Sequence, residues 1–128
     1  LTLRIVDTSA WIEWLTASPI ASEVGRQLPR REEWLVPTVV QLELVKWLAR
    51  EISQDEADRV IAFTLTCDVL PLDTATAILA AEVCRDHRLA TADAVIYASA
   101  LRAGADVLTC DAAFEGLPRA IVVPRARR

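Results

Sequence analysis

Four carboxylates sit where a folded chain rarely puts charge. Asp7 closes the apolar run Leu3-Arg4-Ile5-Val6, and Glu43 lies inside the stretch Val39-Val40-Gln41-Leu42-Glu43-Leu44-Val45. Asp93 opens the apolar segment from Ala92 to Leu101, and Asp111 follows Val107-Leu108-Thr109-Cys110. A carboxylate bordered by core residues has to be neutralised, hydrogen-bonded or bound to a cation. Four at the same kind of border predict one shared acidic pocket, whose natural occupant is a hard divalent cation. Oxygen donors with no histidine nearby favour Mg²⁺ or Mn²⁺ over zinc. Such ions can hold a phosphodiester, acidify a bound water and stabilise a departing oxygen.

Each acid also has an ordinary reading. Asp7 can cap the helix that follows it. Glu43 can pair with Lys46, three residues on, a contact worth a few tenths of a kcal/mol, roughly. Asp93 can be a first-turn acid favoured by the helix dipole. Asp111 can be a turn residue before Ala112-Ala113-Phe114. The four together carry the functional reading.

The elements that must position these side chains follow from apolar runs and punctuation. Strands are predicted at Leu3 to Val6, Trp34 to Val36, Asp68 to Leu72, Asp106 to Thr109 and Ala120 to Val123. Between them lie helices. One runs over Ala10 to Leu15, capped by Thr8 or Ser9, and another from Pro19 to about Leu28. Thr38 caps a third that reaches about Arg50. The capping-box pattern Ser53-Gln54-Asp55-Glu56 opens a fourth, to about Thr66. Asp73 or Thr74 caps a fifth to about His87. Thr91 caps a sixth, which Gly104 ends after Ala103. Strands alternating with helices predict a parallel α/β sheet covered on both faces. Ligands in such sheets bind outside the carboxyl ends of the strands, where Asp7 and Asp111 fall.

Length and composition fit this picture. The 128 residues suit one domain, and 53% hydrophobic content supplies a sizeable core. No apolar stretch reaches the roughly 18 residues of a membrane span. Leu1 to Ile5 lacks the features of a signal peptide, so a cytoplasmic setting is expected. The tail Pro124-Arg125-Ala126-Arg127-Arg128 is basic and expected to fray. The net charge of −4 gives no general attraction to nucleic acid, so any such contact must be local. Arg85, Arg88 and Arg102 are candidates, each with the alternative of a solvated helix face. Cys67, Cys84 and Cys110 read as reduced, mostly buried thiols without metal-ligand spacing. His87 is the only histidine, which argues against serine–histidine or cysteine–histidine catalysis. Trp11 and Trp14 share one helix face, as core residues or as the lining of a groove for a partner helix.

The four acidic segments also resemble a family. Asp7-Thr8-Ser9-Ala10, Glu43-Leu44-Val45-Lys46-Trp47-Leu48, Thr91-Ala92-Asp93-Ala94-Val95-Ile96-Tyr97-Ala98 and Leu108-Thr109-Cys110-Asp111-Ala112-Ala113-Phe114 resemble, in order and spacing, the motifs of PIN domains. The small size is similar to that of the VapC-type toxins of bacterial and archaeal toxin–antitoxin pairs. The resemblance covers nearly the whole chain. It implies a PIN-like three-layer α/β/α domain with a five-stranded parallel sheet and a Mg²⁺- or Mn²⁺-dependent endoribonuclease. Asp7, Glu43, Asp93 and Asp111 would be its catalytic and metal-binding acids. Thr109 would support the last acid, and Ser9 would hydrogen-bond near the first. The implied partners are RNA, a VapB-type antitoxin and a second copy of the chain in a homodimer. Bulky Trp11 and Trp47, and Leu1 in place of an initiator methionine, depart from the pattern without touching an acid.

Other readings remain. The same fold could bind RNA or protein without cutting, or serve as a housekeeping nuclease without antitoxin. A receiver domain would need adjacent acids after the first strand and a lysine after a late one. A haloacid-dehalogenase-type phosphatase would need an aspartate where Ser9 stands. Both fit poorly.

Overall fold

The computed structural model of the chain describes residues 2–125; Leu1 and the last three residues of the basic tail lie outside the described part. Strands β1 (Arg4–Val6), β2 (Trp34–Pro37), β3 (Asp68–Leu70), β4 (Asp106–Thr109) and β5 (Ala120–Val122) pair in parallel, in the order β3-β2-β1-β4-β5. The connections carry helices α1 (Thr8–Leu15), α2 (Ala21–Gln27), α3 (Thr38–Glu51), α4 (Gln54–Thr64), α5 (Thr74–His87) and α6 (Thr91–Ala103). All four residues of β2 are buried, as are Ile5, Val6, Val107 and Leu108 in the two strands at the centre. Burial on both faces of the central strands is what a three-layer α/β/α arrangement requires, and it explains their continuous apolar runs.

The order reverses beside β1. The chain builds outward through β2 and β3, then crosses back to place β4 on the other flank of β1. The crevice between β1 and β4 is therefore the switch point at which open α/β sheets receive ligands. Its register is fixed at the far end by Arg4, the Cα partner of Asp106. Arg4 Nε donates to Asp106 Oδ1 at 2.7 Å and Nη2 to Oδ2 at 3.2 Å, while Nη1 donates to the Gln27 carbonyl at 2.7 Å. The same register pairs Val6 with Leu108, so Asp7 emerges beside Thr109.

Several helix starts differ from the sequence expectation. Ser53 and Asp73 do cap, accepting from the backbone N–H of Glu56 and Thr76. Thr8, Thr38 and Thr91 are instead the first helical residues, behind Asp7, Pro37 and Ala90, and none of those three makes a side-chain cap bond. These helices are held by packing rather than by caps, as buried amphipathic helices generally are. Helix α2 begins at Ala21, two residues after Pro19. Gly104, at φ 67°, closes α6 in the left-handed conformation that glycine adopts without a Cβ clash.

Helix α6 is the most deeply set helix: every residue from Ala94 to Ala100 is buried. Trp11 is buried against Trp34, with ring centroids 5.0 Å apart, and Phe63 meets both edge-on. Trp14, on the same helix, is 38% exposed at the rim of this cluster. Of this pair, Trp11 is thus a core residue and Trp14 is the accessible one. The three cysteines are free, and Cys110 is buried. No helix among the described residues is long and apolar enough to cross a membrane.

Candidate active site

Asp7 leaves β1 at the switch point and is only 3% exposed. Its Oδ2 accepts from Ser9 Oγ at 2.6 Å and from Thr109 Oγ1 at 2.8 Å. Both hydroxyls are themselves held. Ser9 Oγ accepts the Cys110 backbone N–H at 2.9 Å, and Thr109 Oγ1 accepts that of Asp111 at 3.0 Å. A closed network therefore ties the end of β1 to the end of β4. It supplies the donors that a buried carboxylate needs. Burial pushes the Asp7 carboxyl above its ordinary range, the Ser9 and Thr109 hydrogen bonds oppose that rise, and the nearby Asp111 charge adds to it.

Glu43 comes from the second turn of α3. Its partner is not Lys46: Thr8 Oγ1 donates to Glu43 Oε1 at 2.7 Å, joining the first turn of α1 to α3. The i,i+3 pairing with Lys46 is replaced by a shorter bond from a hydroxyl that shares the same groove wall. Thr8 was expected only as a cap, because nothing in sequence separation connects it with Glu43.

Asp93 stands in the first turn of α6, half-buried. Its carboxyl is pushed up to about 7, first by burial and then by the charges of Asp7, Asp111 and Glu43; hydrogen bonding with Asp111 also favours its protonated form. Asp93 thus feels the charge of each of the other three acids. Asp111 Oδ1 also accepts the Ala113 backbone N–H at 2.9 Å and opens a short 3₁₀ turn, Ala112–Phe114. Its turn role and its place in the acidic cluster coexist.

The cluster is open. Among the described residues, no three Asp, Glu, His or Cys side chains are drawn together as a ready-made cation cage. The fit to a divalent metal rests instead on the donor set, which is all carboxylate oxygen. An Mg²⁺ site needs only one or two carboxylates, the rest being water and substrate oxygens, so an open cluster suits it better than a closed one.

The arginines singled out in the sequence lie elsewhere. Arg102 Nη1 is bound to Asp73 at 2.9 Å and to Thr76 at 2.9 Å, and Arg85 pairs with Asp86 at 3.0 Å. Arg88 closes α5 in a left-handed conformation. The cations that line the groove beside Glu43 are Lys46 and Arg50. Their signal in the sequence was their spacing from Glu43, three and seven residues along one helix face.

Fold and site together define a parallel α/β domain with a carboxylate cluster at its switch point. The chain belongs to the PIN domain family, whose model matches residues 4–120. No curated protein sequence matches it. Among solved structures, it is similar to a toxin–antitoxin complex from Klebsiella pneumoniae, at TM-score 0.79 and 15% identity over 93% of this chain and 96% of that one. It is also similar to VapC20 from Mycobacterium tuberculosis, described as a sarcin-ricin loop cleaving toxin, at TM-score 0.77 and 18% identity over 95% and 99%. A DNA-bound VapBC from Salmonella typhimurium matches at TM-score 0.70 and 19% identity over 97% and 98%.

Proposed function

We propose that this chain is a Mg²⁺- or Mn²⁺-dependent endoribonuclease and the toxin of a toxin–antitoxin pair. The observation that carries the reading is Asp7, a carboxylate only 3% exposed at the β1–β4 switch point of a PIN fold, its Oδ2 held by Ser9 and by Thr109 from the neighbouring strand. Asp7, Glu43 and Asp93 would hold the metal, directly or through water, and Asp111 would complete the cluster. A bound divalent ion would neutralise a scissile phosphate and acidify a water for in-line attack.

The chain's own residues do the rest. Ser9 and Thr109 fix Asp7 so that its second oxygen keeps one orientation. Thr8 does the same for Glu43. Asp93, whose protonated form is favoured first by burial and then by the other acids, would ionise beside a bound cation. Single-stranded or looped RNA would let bases reach the protein surface beside the acids. The similar toxin–antitoxin complexes support a VapB-type antitoxin as partner; a homodimer acting in the cytoplasm belongs to the same proposal.

The test is cleavage of structured RNAs by wild type and Asp93→Asn side by side, with Mg²⁺, with Mn²⁺ and with chelator. Metal-dependent cleavage by the wild type alone is expected. Equal cleavage by the variant, or cleavage indifferent to chelator, would sink the assignment.

A further inference from the structure

A groove of about 370 Å³ opens directly beside the acids, with Thr8 and Glu43 on its wall and Ala92, the neighbour of Asp93, at its edge. Along α3 it continues past Lys46, Trp47 and Arg50. These residues stand three, four and seven positions after Glu43, so they form one stripe that leads away from the carboxylates over about two helical turns.

The charge along this stripe reverses sharply. Lys46 is the chain's only lysine. Among the described residues it has no carboxylate within ion-pair distance, even though Glu43 lies one turn away. Arg50 has only a 3.8 Å contact with its exposed neighbour Glu51. Several other arginines are committed more closely: Arg4 to Asp106, Arg30 to Glu33, Arg59 to Glu56, Arg85 to Asp86 and Arg102 to Asp73. In an acidic protein, cations left available beside a cluster of carboxylates are placed where a polyanion would otherwise be repelled. Between them Trp47 is partly exposed on the groove wall. Alternating cations and an aromatic ring are the means by which proteins hold a single strand, taking phosphates on the charges and a base on the ring.

We propose that this groove is a nucleotide subsite for single-stranded RNA, in which Lys46 and Arg50 take backbone phosphates and Trp47 takes a base flanking the bond presented to the acids. The proposal rests on the ribonuclease reading for its substrate, yet it concerns binding and is tested without cleavage. Lys46 and Arg50 are exposed, so their replacement by alanine leaves the core untouched.

The probe is a fluorescein-labelled, mixed-sequence RNA of about ten nucleotides, within the usual footprint of a single-strand site. Its anisotropy is followed against the full chain in chelator, over a series of KCl concentrations. Lys46→Ala/Arg50→Ala should bind at least about tenfold more weakly at low salt. Its log-affinity against log-salt slope should be shallower by about 1.4, the loss of two phosphate contacts on a single strand. Trp47→Leu should weaken binding without changing the slope. Unchanged affinity and slope in the double variant overturn the proposal. So does a double variant that keeps RNA affinity but loses only a peptide partner. If the double variant loses RNA while the wild type fails to cut with any metal, the groove stands and the nuclease reading falls; metal-dependent cutting with unaltered RNA binding does the reverse.

Discussion

Thr8 and Glu43, separated by 35 positions in the chain, meet at 2.7 Å through the Thr8 hydroxyl and Glu43 Oε1. The bond spans α1 and α3 and occupies one of the two carboxylate oxygens of Glu43. Groups that orient a metal ligand through its second atom are typically worth 10–100-fold in metal affinity. Thr8→Val should therefore weaken Mn²⁺ binding by about tenfold or more, read as a smaller metal-induced rise in melting temperature at fixed Mn²⁺. Thr8→Ser, which keeps the hydroxyl, should restore most of it. Equal Mn²⁺ response in Thr8→Val and wild type would mean that the bond is structural only.

Thr109 makes a second prediction. It is fully buried and gives Asp7 one of its two side-chain hydrogen bonds. Thr109→Val keeps the shape and β-branching of a strand residue but removes the donor. It should cost about 1–3 kcal/mol in urea unfolding, the usual penalty when a buried acceptor loses its partner. A change under about 0.5 kcal/mol, within surface-substitution range, would show that Asp7 is satisfied in some other way.

The acidic cluster should impose a pH dependence on the metal-free protein. The Asp93 carboxyl rises from 3.8 to about 7 on folding. Between those values the folded chain holds more proton than the unfolded chain, so stability falls as pH rises through the window. Asp7 is raised as well and acts in the same direction. Asp73, lowered to about 2 first by its backbone hydrogen bond from Thr76, has the opposite sign, but its window lies below 3.8. In chelator, the melting temperature should drop between about pH 4 and 7. Asp93→Asn should flatten that drop and melt higher than wild type at pH 8. A wild-type curve that is flat or rises across the window would show that the acids are not coupled.

Arg4 tests whether the far end of the sheet matters to the site. It pairs with Asp106 at the start of the two strands whose other ends carry Asp7 and Thr109. Arg4→Met leaves Asp106 partly buried without its cation. A loss of about 1–3 kcal/mol is expected, between the values for surface and buried pairs, since both side chains remain about one-fifth exposed. Urea unfolding at pH 7 checks it; a loss below about 0.5 kcal/mol would contradict it.

These relationships also mark what could be read from the sequence. Strands and helices were legible because apolar runs and turn residues are local signals. The acids were legible because each breaks such a run at its border. Strand order was not: nothing in the Asp7 or Thr109 segments says that β4 lies next to β1. The hydroxyl network around Asp7 therefore appeared only as a family likeness. The Thr8–Glu43 bond was hidden for the same reason, and the local alternative, Glu43 with Lys46, was the natural guess from helix spacing. Caps at Thr8, Thr38 and Thr91 were misplaced by one residue because burial of α1, α3 and α6 holds their starts without a side-chain acceptor. RNA contacts were sought among arginines, the abundant cation, whereas several of those were already engaged by carboxylates.

The most direct test of the shared acidic site is anomalous diffraction at the manganese edge from crystals soaked in Mn²⁺, for wild type and Asp7→Asn. The account predicts a peak in the space bounded by Asp7, Glu43, Asp93 and Asp111 in the wild type, and its loss or marked weakening in the variant. A peak elsewhere, no peak at saturating Mn²⁺, or an equal peak in both proteins would contradict it.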